Sequence, residues 1–351
     1  MLKQIMSKML EEIREQPATL DRTYKAQLGP MEDLRDLLSL RRPRLIMLVA
    51  RGTSDNAAQF GRYLLEITTG IPVTLAAPSI FTLYNAPFHF EQVLVVAISQ
   101  SGESTDTNLV VQRAREQHAL TIGITNEPAS ALASLAEHVF VVRAGREQSV
   151  AATKTYTGQL LMLYLLAWAL GGAISLDDLA RVPDWANRAL ELEPEITRRA
   201  ERYRFMDHAV VVGRGLNYAN AFEFALKLME TCYVVAERFS SADFAHGPIA
   251  MVEASFPAFV FAPEGVTWPG LKETIERLIR LKAETLLITD TGNSEALAFG
   301  EKTVALPMAL PEIFTPIPYI IPAQLFAATL AAHKGLNPDH PRTLSKVTRT
   351  L

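Results

Sequence analysis

Apolar residues along this chain gather in short runs separated by longer stretches of helical periodicity. In the first half the runs fall at Leu45–Ala50, Pro72–Ala77, Val93–Ile98, Leu120–Thr125 and His138–Val142. Between them the pattern predicts helices, for example over Asn56–Glu66 and Asp106–Glu116. Strands spaced by helices of that length are the mark of βαβ units and a parallel sheet. The sequence then repeats the pattern. Strands are expected at Ala209–Gly213, Val234–Arg238, Phe256–Ala262, Thr285–Thr289 and Thr303–Leu306, with helices at Tyr218–Thr231 and Trp268–Arg280. The longest apolar stretch, Leu160–Ile174, is shorter than the ~18 residues of a membrane span. With Gly171 and Gly172 inside it, it predicts a buried core helix.

A local echo supports duplication. Arg51-Gly52 ends the first strand of one half and Arg214-Gly215 ends the first strand of the other, 163 positions later. That period is domain-sized rather than solenoid-sized. The expected organisation is an N-terminal helical segment (1–27), a first α/β domain (28–174), a helical linker (175–199), a second α/β domain (200–335) and a C-terminal tail (336–351). The linker is charged and carries Pro183 and Pro194; the tail is basic and punctuated by Pro338 and Pro341.

Composition narrows the function classes. At ~100–200 residues per domain, 351 residues make two domains. With 49% hydrophobic and 21% charged residues, the chain is not disordered. A net charge of -4 gives no footprint for nucleic acid or anionic lipid. The single cysteine, Cys232, excludes an internal disulfide framework and a zinc site built on thiolates. The N-terminus is polar and amphipathic, without the core of a signal peptide. The expectation is a soluble, cytoplasmic protein.

The most informative stretch is Ser99-Gln-Ser-Gly-Glu-Ser-Thr105, between an apolar strand and a helix. Unpartnered N–H groups at a helix start favour an anion, and the dipole adds to this. Ser99, Ser101, Ser104 and Thr105 supply hydroxyls, Gln100 an amide, and Gly102 lets the backbone approach. There is no Lys or Arg, so this would be a neutral-donor phosphate cradle and not a Walker loop. Helix capping by Ser104 or Thr105 accounts for the same residues equally well. Arg51-Gly-Thr-Ser-Asp-Asn has the same character; Thr53 and Ser54 are donors, and Asp55 fits a simple cap. In an open parallel sheet both loops would lie beyond the carboxyl ends of strands, where ligands bind.

In the second half, Glu223, Lys227 and Glu230 fall at i, i+4 and i+7, on one face of an otherwise apolar helix. The bland reading is a surface Glu–Lys pair. The alternative is a buried polar stripe that lines a cavity. His246 precedes a Gly-Pro turn and by itself reads as surface decoration. The other six histidines show no metal-ligand spacing, and no metal is expected.

Six motifs in order change this picture: Gly52-Thr-Ser; Ser99-Gln-Ser-Gly-Glu-Ser; Val150-Ala-Ala-Thr-Lys; Ala225-Leu-Lys-Leu-Met-Glu; His246-Gly-Pro; and Gln324 through Pro341-Arg-Thr-Leu-Ser-Lys346. With them, from near Met6 to Leu351, the chain resembles the double sugar isomerase (SIS) domain family. It is similar to the isomerase half of the glutamine:fructose-6-phosphate amidotransferases. The resemblance implies an α/β fold of two tandem SIS domains, each a flavodoxin-like three-layer sandwich around a five-stranded parallel sheet. It implies that Ser99, Gln100, Ser101 and Ser104 hold a sugar phosphate with Thr53 nearby, and that Ser54, Val150 and position 152 lie close to the sugar. Glu230 would move a proton between C1 and C2, supported by Lys227 and Glu223. His246 would open the sugar ring from a partner subunit, implying a homodimer. Lys346 would form a Schiff base with the ketose.

Several positions depart from the family pattern. Ser104 stands for a threonine, Ala152 for a serine, Asp243 for a glutamate and Ala245 for a lysine. The sequence begins Met1-Leu2 where the family carries a glutaminase domain with an N-terminal cysteine, so use of glutamine by this chain alone is not expected. The expected reaction is isomerisation and deamination of glucosamine-6-phosphate or a similar hexosamine phosphate, with no redox or metal cofactor required. Alternatives are a fructosamine-phosphate deglycase, a glutamine-independent glucosamine-6-phosphate synthase-type isomerase, and a non-catalytic sugar-phosphate sensor.

Overall fold

Strand residues with no exposed face can only sit between two layers of helix, and the apolar runs do so here. The structure, a computed structural model, describes residues 7–346. Five runs form the first sheet: β1 (Leu45–Ala50), β2 (Val73–Leu75), β3 (Val93–Ser99), β4 (Leu120–Thr125) and β5 (His138–Val141). They are parallel throughout, in the order β2-β1-β3-β4-β5. All seven residues of β3 are buried. On one face, Met47, Val49, Val95 and Ala97 pack with Val110, Val111 and Ala114 of helix Thr105–Glu116. On the other face lies helix Thr53–Thr69, where Gly61 brings the backbone against Leu48 of β1 and Leu163 of helix Lys154–Ala169; a Cβ there would come within 3.0 Å of both.

The second sheet contains β6 (His208–Gly213), β7 (Val235–Ser240), β8 (Pro257–Phe261), β9 (Glu284–Asp290) and β10 (Thr303–Leu306). Its order, β10-β9-β8-β6-β7, is that of the first sheet read from the opposite edge. Val210, Val212, Ala258 and Val260 pack against Trp268, Leu271, Ile275 and Leu278 of helix Trp268–Arg280. In each half the strand order reverses once, between β1 and β3 and between β6 and β8. Those points are where open α/β sheets bind ligands.

The Arg-Gly echo extends to several further elements at the same spacing. β6 begins and ends 163 positions after β1, at 208 and 213 against 45 and 50. Helix Trp268–Arg280 begins 163 positions after helix Thr105–Glu116. Ser130 and Asn293, also 163 apart, each cap a helix by accepting the N–H three residues on, from Ala133 and Ala296. Gly52 and Gly215 both have φ +57°, a left-handed value that favours glycine, and both turn the chain out of the first strand.

Two differences from the sequence expectations have local causes. The helix after β1 starts at Thr53, not Asn56, because the turn is complete at Gly52. Thr53 and Ser54 are therefore first-turn residues rather than loop residues. The buried helix expected over Leu160–Ile174 is shifted: it runs Lys154–Ala169 and is released by Gly171 at φ +82°.

The chain divides into two units. One comprises residues 16–147, 154–183 and 345–346 and carries the first sheet; the other comprises residues 7–15, 148–153 and 184–344 and carries the second. The strip 148–153 is tied into the second unit by Glu12 and Gln324. The buried Glu12 carboxylate, on helix Lys8–Arg14, accepts the N–H groups of Gln148 and Ser149. Gln324 donates to the Thr153 carbonyl at 3.4 Å. Helices Leu176–Leu190 and Glu193–Arg202 fill the stretch expected to be a helical linker. Among the described residues no helix is long and apolar enough to cross a membrane.

Candidate functional site

In the first unit, the loop after β3 is shaped by its own hydroxyls. Ser99 Oγ accepts the N–H of Gly102 at 3.1 Å, and Ser101 Oγ accepts that of Glu103 at 3.3 Å. The Gln100 carbonyl accepts the N–H of Asn126 at 3.1 Å. Gly102, at φ +66°, is required sterically: a Cβ there would lie 2.1 Å from Ser130 Oγ. Ser104 occupies the N-cap position of helix Thr105–Glu116, yet its hydroxyl accepts no helix N–H. It donates to Asp106 Oδ1 at 2.8 Å and lies 3.0 Å from Thr107 Oγ1. Ordinary side-chain capping by Ser104 is thus not what the loop does.

Asp106 and Arg51 are two residues to which the sequence assigned no role in the site. Arg51, immediately after β1, places Nε 2.7 Å and a terminal nitrogen 2.5 Å from Asp106 Oδ2. This pair braces the two loops at the first switch point. Burial pushes the Asp106 carboxyl up, but the Ser104 hydroxyl, the Arg51 guanidinium and the Thr107 N–H outweigh that and hold it below the usual carboxylate range. Ser54 is buried, its Oγ accepting from Gln159 Nε2 at 3.0 Å. Thr53, one residue earlier, is half-buried.

Lys346 is placed in the same unit. Its Nζ is 2.9 Å from Glu147 Oε2. Glu147 is wholly buried and also accepts the N–H and Oγ1–H of Thr155, at 3.1 and 2.7 Å. No short-range pattern marks Glu147; its partner lies 199 positions away.

In the second unit, Glu223, Lys227 and Glu230 share a face of helix Tyr218–Cys232 as their spacing predicts. The surface-pair reading does not hold: Glu223 and Lys227 have no exposed side-chain surface. Lys227 Nζ is 2.6 Å from Glu230 Oε2 and 3.4 Å from Glu223 Oε1. Buried charges persist only when paired, and here one cation serves two anions. Glu230 alone keeps some exposure, 22% of its side chain, so it is the member of the three that a ligand can reach. His246 is exposed, at the C-cap of helix Ser241–Ala245, its backbone N–H donating to the Asp243 carbonyl. Val150 and Ala152 are half-buried on the strip 148–153. Among the described residues no group of three or more His, Cys, Asp or Glu side chains is placed to hold a metal ion.

A match to the SIS domain model covers residues 39–169 and again 204–334, so the chain belongs to the SIS domain family. It is 33% identical over 342 residues to the glutamine–fructose-6-phosphate aminotransferase (isomerizing) of Aquifex aeolicus, covering 96% of this chain and 57% of that protein. The chain therefore spans little more than half the length of that relative. Among solved structures, it superposes on the C-terminal domain of glucosamine-fructose-6-phosphate aminotransferase from Francisella tularensis with a TM-score of 0.84 at 27% identity, covering 96% of this chain and 99% of that one. The glucosamine-6-phosphate deaminase of Thermotoga maritima shares the fold, with a TM-score of 0.80 at 23% identity over 98% of this chain and 100% of that one.

Proposed function

We propose that this chain is an aminosugar-phosphate isomerase and deaminase that converts glucosamine-6-phosphate, or a similar hexosamine phosphate, with water into the ketose phosphate and ammonia. The observation that carries the reading is the Glu223–Lys227–Glu230 cluster: a buried lysine between two carboxylates, of which only Glu230 meets solvent. The relatives named above act on fructose-6-phosphate or glucosamine-6-phosphate by their names, which fits that chemistry.

The roles follow from residue chemistry. The hydroxyls and amides of Ser99, Gln100, Ser101 and Ser104, with Thr53, take the phosphate. Anchoring there orients the reacting carbons. Ser54, Val150 and Ala152 adjoin the sugar. His246 shuttles the ring-opening proton, a task suited to an imidazole at neutral pH. Glu230 removes the C2 proton of the open aldose and returns it to C1, leaving an imine at C2. Lys227 and Glu223 hold Glu230 in place. Lys346 adds to C2 and expels ammonia, and water then cleaves the lysyl imine to give the ketose. His246, exposed in this chain, acts from the partner subunit of a homodimer.

The test is ammonia release from glucosamine-6-phosphate. Wild type is expected to turn over, and Glu230→Gln to lose at least about 10²-fold in rate. Binding of a hexose phosphate without exchange of the substrate C2 proton into deuterated water would instead mark a sensor. The similarity to the isomerising aminotransferase favours one second reading, the same chemistry run toward glucosamine-6-phosphate. Fructose-6-phosphate with ammonium salts exposes it.

A further inference from the structure

The loop Ser99–Thr105 carries hydrogen-bond acceptors as well as donors, and an anion tolerates only donors beside it. Three of the acceptors are engaged elsewhere. The Gln100 carbonyl accepts the N–H of Asn126 at 3.1 Å. Glu103 Oε1 accepts the N–H of Ala131 at 3.0 Å. The Gly102 carbonyl accepts two N–H groups, from the Leu132 backbone and from Asn108 Nδ2, each at 3.0 Å. The segment after β4, from Asn126 into helix Ala131–Leu135, thus takes up acceptors of the loop, and Asn108 of helix Thr105–Glu116 adds a second hold on one of them.

Gly102 is where a second hold matters. At φ +66° and without a side chain, it leaves the peptide that follows it free to rotate. A half-turn of that peptide would exchange the places of the Gly102 oxygen and the Glu103 N–H. Asn108 is also a costly residue at its position. It is only 8% exposed, and among the described residues its Oδ1 has no hydrogen-bond partner. The amide cannot be turned over to relieve this, since Oδ1 would then face the Gly102 carbonyl. Leucine has the same branching at Cγ, leaves no orphaned acceptor and favours a helix more. Stability alone therefore does not call for an amide here.

We infer that Asn108 is a positioning residue for the phosphate loop: its amide holds the Gly102 carbonyl away from the anion, so that donors alone face it. This rests on reading Ser99–Thr105 as a phosphate cradle. The unpaired Oδ1 is the cost of keeping a donor on Gly102.

The experiment sets binding against stability in Asn108→Leu. Affinities for inorganic phosphate and for glucosamine-6-phosphate are measured by calorimetric titration, and melting temperature is measured without ligand. The variant is expected to melt within about 3 °C of wild type or higher, yet to bind both ligands on the order of tenfold more weakly. Affinities within twofold of wild type overturn the inference. So does a loss of affinity accompanied by a larger fall in melting temperature, which is what a packing role alone would give. If Asn108→Leu does not fold, Asn108→Ala, which removes the donor without adding bulk, takes its place, with the loss of affinity deciding. Wild type that binds neither ligand refutes the cradle and the inference with it. Wild type that binds glucosamine-6-phosphate but releases no ammonia refutes the proposed activity alone, and the comparison of affinities still decides the role of Asn108.

Discussion

Lys227 holds the charge balance of its helix. With the lysine removed, the buried Glu223 and the partly buried Glu230 lose the cation they share. Lys227→Met is expected to destabilise the protein by about 3–5 kcal/mol in urea unfolding. Adding Glu223→Gln should recover a large part of that loss; no recovery would show that the stem of Lys227, not its charge, matters. Glu147 fixes Lys346 in a comparable way. Glu147→Gln is expected to lower kcat for ammonia release and to slow borohydride trapping of the ketose phosphate on Lys346, leaving KM within about threefold, since the phosphate contacts are untouched. The Cys232 thiol, pushed up to about 12 mainly by burial, has almost no thiolate at pH 8. It should resist a disulfide reagent in the native protein and react fully in denaturant. At this scale the sequence was legible where partners are near: 223, 227 and 230 announce one another by helical spacing. Glu147 does not, because its lysine arrives from the far end of the chain.

Among the elements, the strands were the easiest to read, since parallel strands buried on both faces are nearly unbroken apolar runs. Helix starts were harder. The turn at Gly52 depends on a left-handed backbone value, and the role of Ser104 depends on Asp106, neither of which periodicity conveys. The Arg51–Asp106 brace gives this region a pH signature. The Asp106 carboxyl is held below its unfolded value, so the ionised form contributes stability that is fully present above that value and lost as pH falls through the folded one. The stability gap between wild type and Asp106→Asn should be constant above about pH 5 and shrink below about pH 4. A gap that stays constant down to pH 2 would show that the carboxylate adds nothing beyond its neutral hydrogen bonds.

For the molecule as a whole, duplication at a nearly constant spacing places different side chains on matching helices. Helix Thr53–Thr69 starts with Thr53 and Ser54, and its counterpart Tyr218–Cys232 carries Glu223, Lys227 and Glu230, where the first copy has Phe60, Leu64 and Ile67. The sequence echo pointed to this repeat with two residues; the capping pair Ser130 and Asn293 could be recognised only once the helices were in place. If His246 serves the partner's site, mixing inactive His246→Ala and Glu230→Gln proteins should restore roughly a quarter of wild-type activity after subunit exchange, one intact site in each mixed dimer. Sites built within one chain would restore none. The strip 148–153 carries a further consequence for handling the protein. Although it lies inside the first repeat, it is a structural part of the second unit, bound by Glu12 and Gln324. The gene therefore has no clean scissile point between its repeats: a fragment ending near residue 183 carries away a piece that its sister fragment needs. Neither should be soluble when produced alone, whereas joint production of the two should allow them to reassemble.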